Sequence, residues 1–453
     1  MKNRIYLLSL GCPKNLVDSE AMAGSLIKAG FSLTTTPSQA DLILVNTCGF
    51  IDDAKAESIE AILQLSKLRK KLVVTGCLAQ IGGREIFQGI PEVSAVVGLG
   101  EERKIAQICL QVLRNGHRIL RLGLPHPNRV EHSPSKPLTP FYTSYLKIAD
   151  GCDNRCSYCL IPRIRGRLRS IPIEILIRRA RLMAQRGVKE LILVAQDLSS
   201  YGLDLYGKPM LAELLGQLDQ LEGISWIRLL YLHPVRLSPE LIEVVAGGEK
   251  ICKYLDLPLQ HISDRILKEM NRRTKGQDLR DLIPLLRASI PGVALRTAFI
   301  VGLPGETEDE FEELLEFVWM GQFEKLGCFI YSPQKGTLAA RLPGQIPFEV
   351  KRERQERLLT LQAEVSRVAN QKRLGRKEMA LIEGKNSPST FLGRTQGEAP
   401  EIDGQVIIRG ENLKPGDMVG IKITGASDFD LNGQVDEDFH PSVQHQRRWD
   451  NGY

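Results

Sequence analysis

The chain has 453 residues, of which 43% are hydrophobic and 25% are charged. These proportions are ordinary for soluble globular proteins and exclude the disordered, collagenous and membrane classes. At roughly 150 residues per domain, the length predicts about three domains. No apolar run approaches the roughly 18 residues of a membrane span, and the N-terminus has no secretory pattern. We therefore expect a cytoplasmic protein that makes no contact with a membrane.

The first hundred residues predict alternating strands and helices. Short apolar runs typical of buried parallel strands lie at residues 5–10, 41–46 and 71–75. Helical patterns follow the first two runs, at residues 16–29 and 52–68. This alternation predicts a doubly wound parallel sheet, which we place at residues 3–120. A stretch rich in Pro and without periodicity follows it and predicts a linker at residues 121–140.

The central part of the chain resumes the alternation of strands and helices. The strand candidates are residues 145–149, 191–195, 226–231, 254–257, 294–301 and 326–331. Six such units predict an incomplete, TIM-like (β/α) barrel at residues 141–375, with its chemistry at the C-terminal ends of the strands. A polar amphipathic helix at residues 352–373 is its predicted connector to the next domain.

The C-terminal part has a different character, with short alternating runs between Gly, Asn and Asp turns. Residues 405–408 and 418–423 are examples. The pattern favours a small antiparallel β-barrel at residues 376–440. Residues 441–453 have little apolar content and predict a loose tail.

Charge is distributed unevenly along the chain. The formal net charge is +6, but residues 379–440 contain eleven Asp or Glu against five Lys or Arg. The C-terminal domain is therefore acidic, and the rest of the chain is strongly basic. This contrast bears on the choice of partner.

Nine cysteines are spread over the chain, an odd number with no secretory signal. Such a pattern is unlike a disulfide scaffold, so metal or redox use has to be considered first. Cys109, Cys252 and Cys328 fall inside predicted helices or strands, where a small buried hydrophobic side chain is the expected role. Six cysteines remain.

Three of the six form a compact loop after the first barrel strand. Cys152, Cys156 and Cys159 have the spacing CxxxCxxC. Three thiolates can hold three irons of a cubane cluster and leave the fourth iron open to a small ligand. The alternative is a zinc site completed by a distant side chain, although zinc loops usually pair their thiols as CxxC.

The other three thiols are far apart in sequence but occupy equivalent positions. Cys12, Cys48 and Cys77 each follow a predicted parallel strand directly. Because the carboxyl ends of parallel strands meet at one edge of a sheet, we expect the three thiols to meet there. A second iron-sulfur cluster with one open iron is the hypothesis, and three unrelated buried cysteines are the alternative.

The CxxxCxxC loop, with Tyr158 inside it at the first strand of a βα barrel, resembles the radical S-adenosylmethionine superfamily. The resemblance implies a [4Fe–4S] cluster whose open iron binds S-adenosylmethionine and whose electron cleaves it to a deoxyadenosyl radical. It further implies contacts to S-adenosylmethionine from Tyr158, from Gln196 after the second barrel strand, and from Gly302 and Glu306 in a Gly-rich turn.

Taken from about residue 3 to about residue 438, the chain resembles the methylthiotransferases. These join a three-Cys domain, a radical S-adenosylmethionine barrel and a C-terminal TRAM domain. The motifs at residues 196–204 and 257–263 are similar to the branch that modifies an aspartate in the twelfth protein of the small ribosomal subunit. A Trp is commoner in that branch where this chain has Asn432.

The implied reaction replaces a hydrogen on the aspartate β-carbon by a methylthio group. It implies two [4Fe–4S] clusters, two molecules of S-adenosylmethionine, a sulfur source and a low-potential electron donor such as flavodoxin or ferredoxin. The sequence leaves open whether the sulfur comes from the cluster itself or from a sulfide bound to its open iron. No catalytic side chain is predicted beyond the six cluster cysteines.

Charge favours a protein substrate independently of the resemblance. A domain that binds RNA phosphates should be basic, whereas the acidic C-terminal domain would attract a basic ribosomal protein. The alternative is that the acidic residues only form a solvated face. Near the CxxxCxxC loop, five arginines could bind a carboxylate of the substrate or of S-adenosylmethionine, or could pack against acidic neighbours; they are Arg155, Arg163, Arg165, Arg167 and Arg169.

Two other functions remain open at this stage. The closer one is methylthiolation of an adenosine beside the tRNA anticodon by the same chemistry. The more distant one is an iron-sulfur scaffold or electron carrier without enzymatic activity.

Overall fold

The structure is a computed structural model that describes residues 3–123 and 136–439. Residues 124–135 of the predicted linker and the predicted tail at 441–453 lie outside the described residues. Within the described ranges, no helix has both the length and the apolar composition needed to cross a bilayer.

The N-terminal domain is a parallel sheet with helices on both faces, as predicted. Its strands are β1 (Arg4–Ser9), β2 (Ser32–Thr34), β3 (Leu42–Thr47), β4 (Lys71–Gly76), β5 (Val93–Val97) and β6 (Ile119–Arg121). Its helices are α1 (Pro13–Lys28), α2 (Asp52–Ser66), α3 (Cys77–Gly89) and α4 (Ile105–Asn115). The strand order is β2-β1-β3-β4-β5-β6, with every pairing parallel. Strands β2, β5 and β6 were not predicted, since two of them have only three residues and show no measurable periodicity.

The central domain is a six-stranded parallel sheet in the order β14-β13-β12-β11-β10-β7. Its strands are β7 (Thr143–Lys147), β10 (Glu190–Val194), β11 (Trp226–Leu229), β12 (Ile251–Gln260), β13 (Ala294–Val301) and β14 (Lys325–Ile330). Strands β8 (Ala149–Asp150) and β9 (Arg169–Ser170) pair antiparallel as a separate two-stranded sheet. The helices are α5 (Ile161–Ile164), α6 (Ile173–Gln185), α7 (Leu203–Tyr206), α8 (Leu211–Asp219), α9 (Pro239–Gly247), α10 (Asp264–Glu269), α11 (Gly276–Ser289) and α12 (Glu308–Gly321). The sheet does not close on itself, so the predicted incomplete barrel is confirmed.

Helix α13 (Phe348–Gln371) connects this barrel to the C-terminal domain, as predicted. That domain is a closed barrel of β15 (Lys377–Ser387), β16 (Thr390–Arg394), β17 (Val406–Arg409), β18 (Met418–Ala426) and β19 (Leu431–Val435). One pairing differs from the predicted antiparallel pattern. β17 and β19 run parallel, because β18 lies between them in sequence but on the far side of β19 in space.

The C-terminal barrel packs against the amino ends of the central strands. Tyr145 and Tyr254 in the central barrel share a buried cluster with Leu381 and Ala399 of the C-terminal domain, and Leu16 of α1 packs against the same cluster. Both neighbouring domains therefore contact the half-open central barrel through one buried cluster.

Candidate active site

Cys12, Cys48 and Cys77 lie at one edge of the N-terminal sheet. Each follows one of the strands β1, β3 and β4, which are consecutive neighbours in the sheet. Cys12 precedes the first turn of α1, and Cys77 is the first residue of α3. The amide of Cys48 donates to Ser58 Oγ on α2 at 3.1 Å. The strand order therefore places the three thiols side by side, as the sequence predicted.

These three thiols, the N-terminal triad, influence one another's pKa. Burial raises the pKa of Cys77 to about 12, and the charges of Cys12 and Cys48 add to that increase. Burial also raises the pKa of Cys48, with a smaller contribution from Cys12. Burial alone would raise the pKa of Cys12 as well, but Lys14, Arg165 and two backbone amides lower it.

Glycines beside these thiols allow the ends of neighbouring strands to approach each other closely. Gly11 has a φ of +87°, and a Cβ there would lie 2.8 Å from Cys48 Sγ. Gly76 has a φ of +96°, and a Cβ there would lie 2.3 Å from Asn46 Oδ1. Any larger residue would push neighbouring thiols or their supports apart, since real Cβ atoms do not approach that closely.

The second group of thiols, Cys152, Cys156 and Cys159, forms the barrel triad on the loop between β8 and α5. Backbone amides of Asn154 and Ile161 donate to Cys152 Sγ and Cys159 Sγ, each at 3.4 Å. Burial raises the pKa of Cys159 to about 12, with contributions from the other two thiols, and that of Cys152 to about 11. The loop thus gathers three partly exposed thiols into one group.

The donor set of each triad consists of three thiols, which are the usual ligands of iron-sulfur clusters. Among the described residues, no three His, Cys, Asp or Glu side chains converge on a point where one metal ion would bind. In a cubane each cysteine binds a different iron, so the sulfurs surround the cluster and do not meet at one point. The donor sets are purely thiol, and backbone amides point at two of the sulfurs.

Two of the residues expected to contact S-adenosylmethionine, Tyr158 and Gln196, lie next to the loop of the barrel triad. Gln196 follows β10, and its Nε2 donates to Asp150 Oδ1 at 3.2 Å, whereas its buried Oε1 has no partner among the described residues. Burial, followed by the neighbouring Cys156, raises the pKa of Tyr158. A buried acceptor without a partner is costly unless a ligand satisfies it, so the Gln196 position suits a binding site.

The Gly-rich turn after β13 is held mainly by hydrogen bonds to the carboxylate of Glu306. Glu306 Oε2 accepts from the amides of Gly302 at 2.8 Å and Leu303 at 3.3 Å, and its Oε1 accepts from Arg354 at 2.8 Å. Gly302 has a φ of +77°, and a Cβ there would lie 2.3 Å from Lys351 Cγ. The carboxylate of Glu306 is therefore used inside the turn, and these contacts shape the turn against α13.

Arg165 joins the loop that carries the barrel triad to the N-terminal triad. Its side chain is 2% exposed, and Nη2 donates to Asn15 Oδ1 at 2.6 Å and to Cys77 Sγ at 3.7 Å. The same guanidinium pairs with Asp18 at 2.9 Å and with Asp150 at 3.1 Å. One arginine from the barrel loop thus binds the N-terminal domain, the barrel and one thiol of the N-terminal triad. Leu160 and Ile164, which follow the barrel triad, also pack against Cys77, so the two domains meet beside their triads.

Ion pairs account for three of the five arginines near the barrel triad. Arg165 and Arg169 pair with Asp150, and Arg167 pairs with Asp153. The geometry therefore favours packing against acidic neighbours as the role of these three arginines. The sequence had left this role open beside the binding of a carboxylate of the substrate or of S-adenosylmethionine. Arg155 and Arg163 are exposed.

Several acidic residues of the C-terminal domain are engaged with the barrel. Glu398 is buried and pairs with Arg373 and Lys325, whereas Asp403 pairs with Arg296 of β13 and accepts from Tyr254. The acidity of this domain therefore serves in part to dock it. Charge complementarity to a basic partner rests on the remaining exposed carboxylates.

Sequence reasoning missed three participants in this site. Asn15 links the strand ends by donating to the carbonyls of Leu10 and Thr47 at 3.1 and 3.0 Å. Lys14 and Tyr231 contact each other at the mouth of the barrel. The proximity of Lys14 and Asn15 to Cys12 in sequence was a usable signal, but the contact with Tyr231 spans two domains and leaves no local pattern.

Comparisons with known proteins agree with this architecture. The uncharacterized protein family UPF0004 matches residues 4–98, the radical SAM superfamily matches residues 146–318, and the TRAM domain matches residues 374–435. Among solved structures, the radical S-adenosylmethionine methyltransferase TsrM from Kitasatospora setae aligns with a TM-score of 0.54 at 14% identity, covering 73% of this chain and 75% of that one. At that identity the likeness shows the fold alone.

Two curated relatives match over nearly their whole length. The ribosomal protein uS12 methylthiotransferase RimO of Pelotomaculum thermopropionicum is 48% identical over 440 residues, which cover 95% of this chain and 99% of the relative. The protein of the same name from Geotalea uraniireducens is 46% identical over 442 residues, with 96% and 99% coverage. The chain therefore belongs to the RimO family of ribosomal protein uS12 methylthiotransferases.

Proposed function

We propose that this chain is a radical S-adenosylmethionine enzyme that methylthiolates the β-carbon of an aspartate in uS12, the twelfth protein of the small ribosomal subunit. The observation that carries the proposal is that two cysteine triads lie on adjoining domains, joined where Arg165 contacts Cys77 and where Cys77 packs against Leu160 and Ile164. Attack on an unactivated C–H bond and delivery of sulfur need two sites that one substrate carbon can reach. Family membership supports the same reaction.

Each triad is assigned to one [4Fe–4S] cluster. Cys12, Cys48 and Cys77 would hold the cluster that supplies sulfur, and Cys152, Cys156 and Cys159 would hold the cluster beside S-adenosylmethionine. We assign Tyr158, Gln196 and the turn containing Gly302 and Glu306 to S-adenosylmethionine binding. The domain limits that go with this assignment are 3–120, 141–375 and 376–440.

When bound, the clusters and S-adenosylmethionine supply an electron, a radical able to take hydrogen from carbon, sulfur and a methyl group. The chain's own residues prepare the space for them. Arg165 holds the N-terminal domain against the barrel loop through Asp18 and Asp150. The interdomain cluster of Cys77, Leu99, Leu160 and Ile164 excludes water beside one triad. Gln196 offers a free carbonyl oxygen at the end of β10.

The reaction requires partners that the chain does not contain. A low-potential donor such as flavodoxin or ferredoxin would supply electrons, and a separate sulfur source would replenish the N-terminal site. We place the enzyme in the cytoplasm, where uS12 is made and assembled.

The test is reaction of the anaerobically reconstituted enzyme with purified uS12, S-adenosylmethionine and a low-potential reductant. Mass spectrometry of uS12 peptides should show one methylthio group in place of a hydrogen, located on aspartate. A parallel reaction with tRNA should leave the tRNA unchanged. Modification of tRNA but not of uS12 would favour the adenosine reaction, and absence of S-adenosylmethionine cleavage would favour the inert carrier.

Cysteine variants test the division of labour between the triads. Cys156→Ala should abolish S-adenosylmethionine cleavage, whereas Cys48→Ala should retain cleavage but abolish sulfur insertion. Cys109→Ala, in the buried core of α4, is the matched control and should retain both. The parent should contain about eight irons and eight sulfides per chain, as two cubanes require. Sulfur insertion by Cys48→Ala would exclude the N-terminal triad as the sulfur site.

A further inference from the structure

Lys14 reaches from the N-terminal triad to the mouth of the central barrel. It lies on the first turn of α1, two residues after Cys12, and its Nζ is 3.4 Å from the centre of the Tyr231 ring. Tyr231 follows β11, so the contact carries an N-terminal side chain into the mouth of the barrel. The positive charge of Lys14 acts on one thiol of each triad. It lowers the pKa of Cys12 and of Cys159, which burial by itself would raise.

The ammonium group of Lys14 has no anionic partner at salt-bridge distance within the described part of the chain. Neighbouring cations differ in this respect. Arg165 pairs with Asp18 and Asp150, Lys147 pairs with the same two aspartates, and Arg236 pairs with Asp197. Lys14 is also only partly buried, whereas Arg165 is 2% exposed. A cation that is partly exposed and has no salt-bridge partner among the described residues is suited to bind an anionic ligand.

The support under Lys14 is a strained residue. Tyr231 has a φ of +68°, in the left-handed region that bulky side chains rarely adopt. Its amide donates to Asp256 Oδ2 at 3.0 Å, and its carbonyl accepts from the amide of Leu198 at 2.9 Å. Such a conformation persists only where surrounding contacts enforce it, and it is typical of functional sites. The ring of Tyr231 lies under Lys14, and a cation over an aromatic face is stabilised by the ring.

We propose that Lys14, held over Tyr231 at the mouth of the barrel, binds the side-chain carboxylate of the substrate residue and so selects aspartate over asparagine. The inference rests on the proposed function, because it takes an acidic residue of uS12 as the substrate. The ammonium would donate to a carboxylate oxygen, which leaves the adjacent β-carbon at the mouth of the barrel. Asparagine would present a neutral amide and lose the charge-assisted hydrogen bond.

The experiment measures binding of labelled uS12 and of its variant with asparagine at the substrate position to the reconstituted enzyme. The parent should bind the aspartate form about tenfold more tightly, the difference expected for one charge-assisted hydrogen bond. Lys14→Met should reduce this ratio to less than about twofold, and Lys14→Arg should retain most of it. Tyr231→Leu should lower the ratio to an intermediate value, because the ammonium loses its support.

Controls separate this role from structural ones. Lys28→Met, at the exposed end of the same helix, should keep the parent ratio. Iron content and S-adenosylmethionine affinity should be equal in the parent and in Lys14→Arg. An unchanged tenfold ratio in Lys14→Met overturns the inference, as does a loss of S-adenosylmethionine affinity with the ratio preserved. If the parent enzyme modifies uS12 and Lys14→Met still binds the aspartate form more tightly than the asparagine form, only the role of Lys14 is refuted. If the parent enzyme does not modify uS12, the proposed function itself is refuted.

Discussion

A buried charge cluster between the barrel and the C-terminal domain allows a quantitative prediction. Glu190, the first residue of β10, is fully buried and accepts from Arg228 Nε at 2.7 Å and from Arg394 Nη2 at 2.6 Å. Burial alone would raise the pKa of Glu190, but the two arginines lower it to about 2. Arg394 belongs to the C-terminal barrel, so this carboxylate holds two domains together.

Glu190→Gln should lower the free energy of unfolding by about 3 kcal/mol at pH 7. A pKa of about 2 against an ordinary value of 4.5 corresponds to about that energy. Removal of one partner from a buried ion pair costs a similar amount, about 3–5 kcal/mol. The variant keeps the size of the side chain, so the loss reports the charge and leaves packing unchanged.

Urea unfolding followed by tryptophan fluorescence measures this loss. Trp226 lies opposite Glu190 in the β10–β11 pairing and is 2% exposed, so its emission reports this region. Because the folded pKa is depressed, the stabilisation is fully present above about pH 4.5 and disappears as the pH falls toward about 2. The difference between parent and variant should therefore be constant from pH 8 to pH 5 and shrink below about pH 4.5.

The control is Glu312→Gln, which removes a surface pair with Arg357. The Glu312 side chain is 54% exposed, and the loss should stay below about 0.5 kcal/mol. A loss of less than about 0.5 kcal/mol in Glu190→Gln would refute the reasoning, because the buried pair would then contribute no more than a surface pair.

Three further predictions address the site itself. Arg165→Met should make the N-terminal domain more accessible to limited proteolysis, since Asp18 and Asp150 lose their shared partner; an unchanged cleavage pattern would contradict the docking role. Gly151→Ala should lower the iron bound by the barrel triad, because its Cβ would lie 2.0 Å from the Arg167 carbonyl oxygen; iron analysis measures this. Cys252→Ala should retain the full iron content, since that thiol is buried within β12, and a loss of iron would show otherwise.

The fold was largely predictable because its pattern is local. Apolar runs such as Leu42–Thr47 are buried along their whole length in a parallel sheet, and their alternation with helices identified both α/β domains. The missed strands β2 and β6 have three residues each, too few for a periodic signal. The parallel pairing of β17 with β19 was also beyond prediction, because strand order in a small barrel depends on non-local pairing.

The two triads of the candidate site could also be predicted from the sequence, one from local spacing and the other from the strand pattern. The barrel triad lies within eight residues of sequence, so one loop is enough to bring its thiols together. The N-terminal triad spans 66 positions, from Cys12 to Cys77, yet its placement followed from the rule that parallel strands end at a common edge. Both groups could therefore be identified before any tertiary structure was considered, and their assignment as cluster ligands stays a prediction.

By itself, the sequence determined the three-part architecture, the two groups of three thiols and the three cysteines left to the core. Only the tertiary structure decided how the parts meet. Arg165 reaches Asp18 from 147 positions away, and Lys14 rests on Tyr231 across two domains. The C-terminal carboxylates that looked like a surface for a partner are partly used to dock that domain. The physical reason is that side-chain charge pairs depend on distances in space, which periodicity and spacing along a chain do not encode.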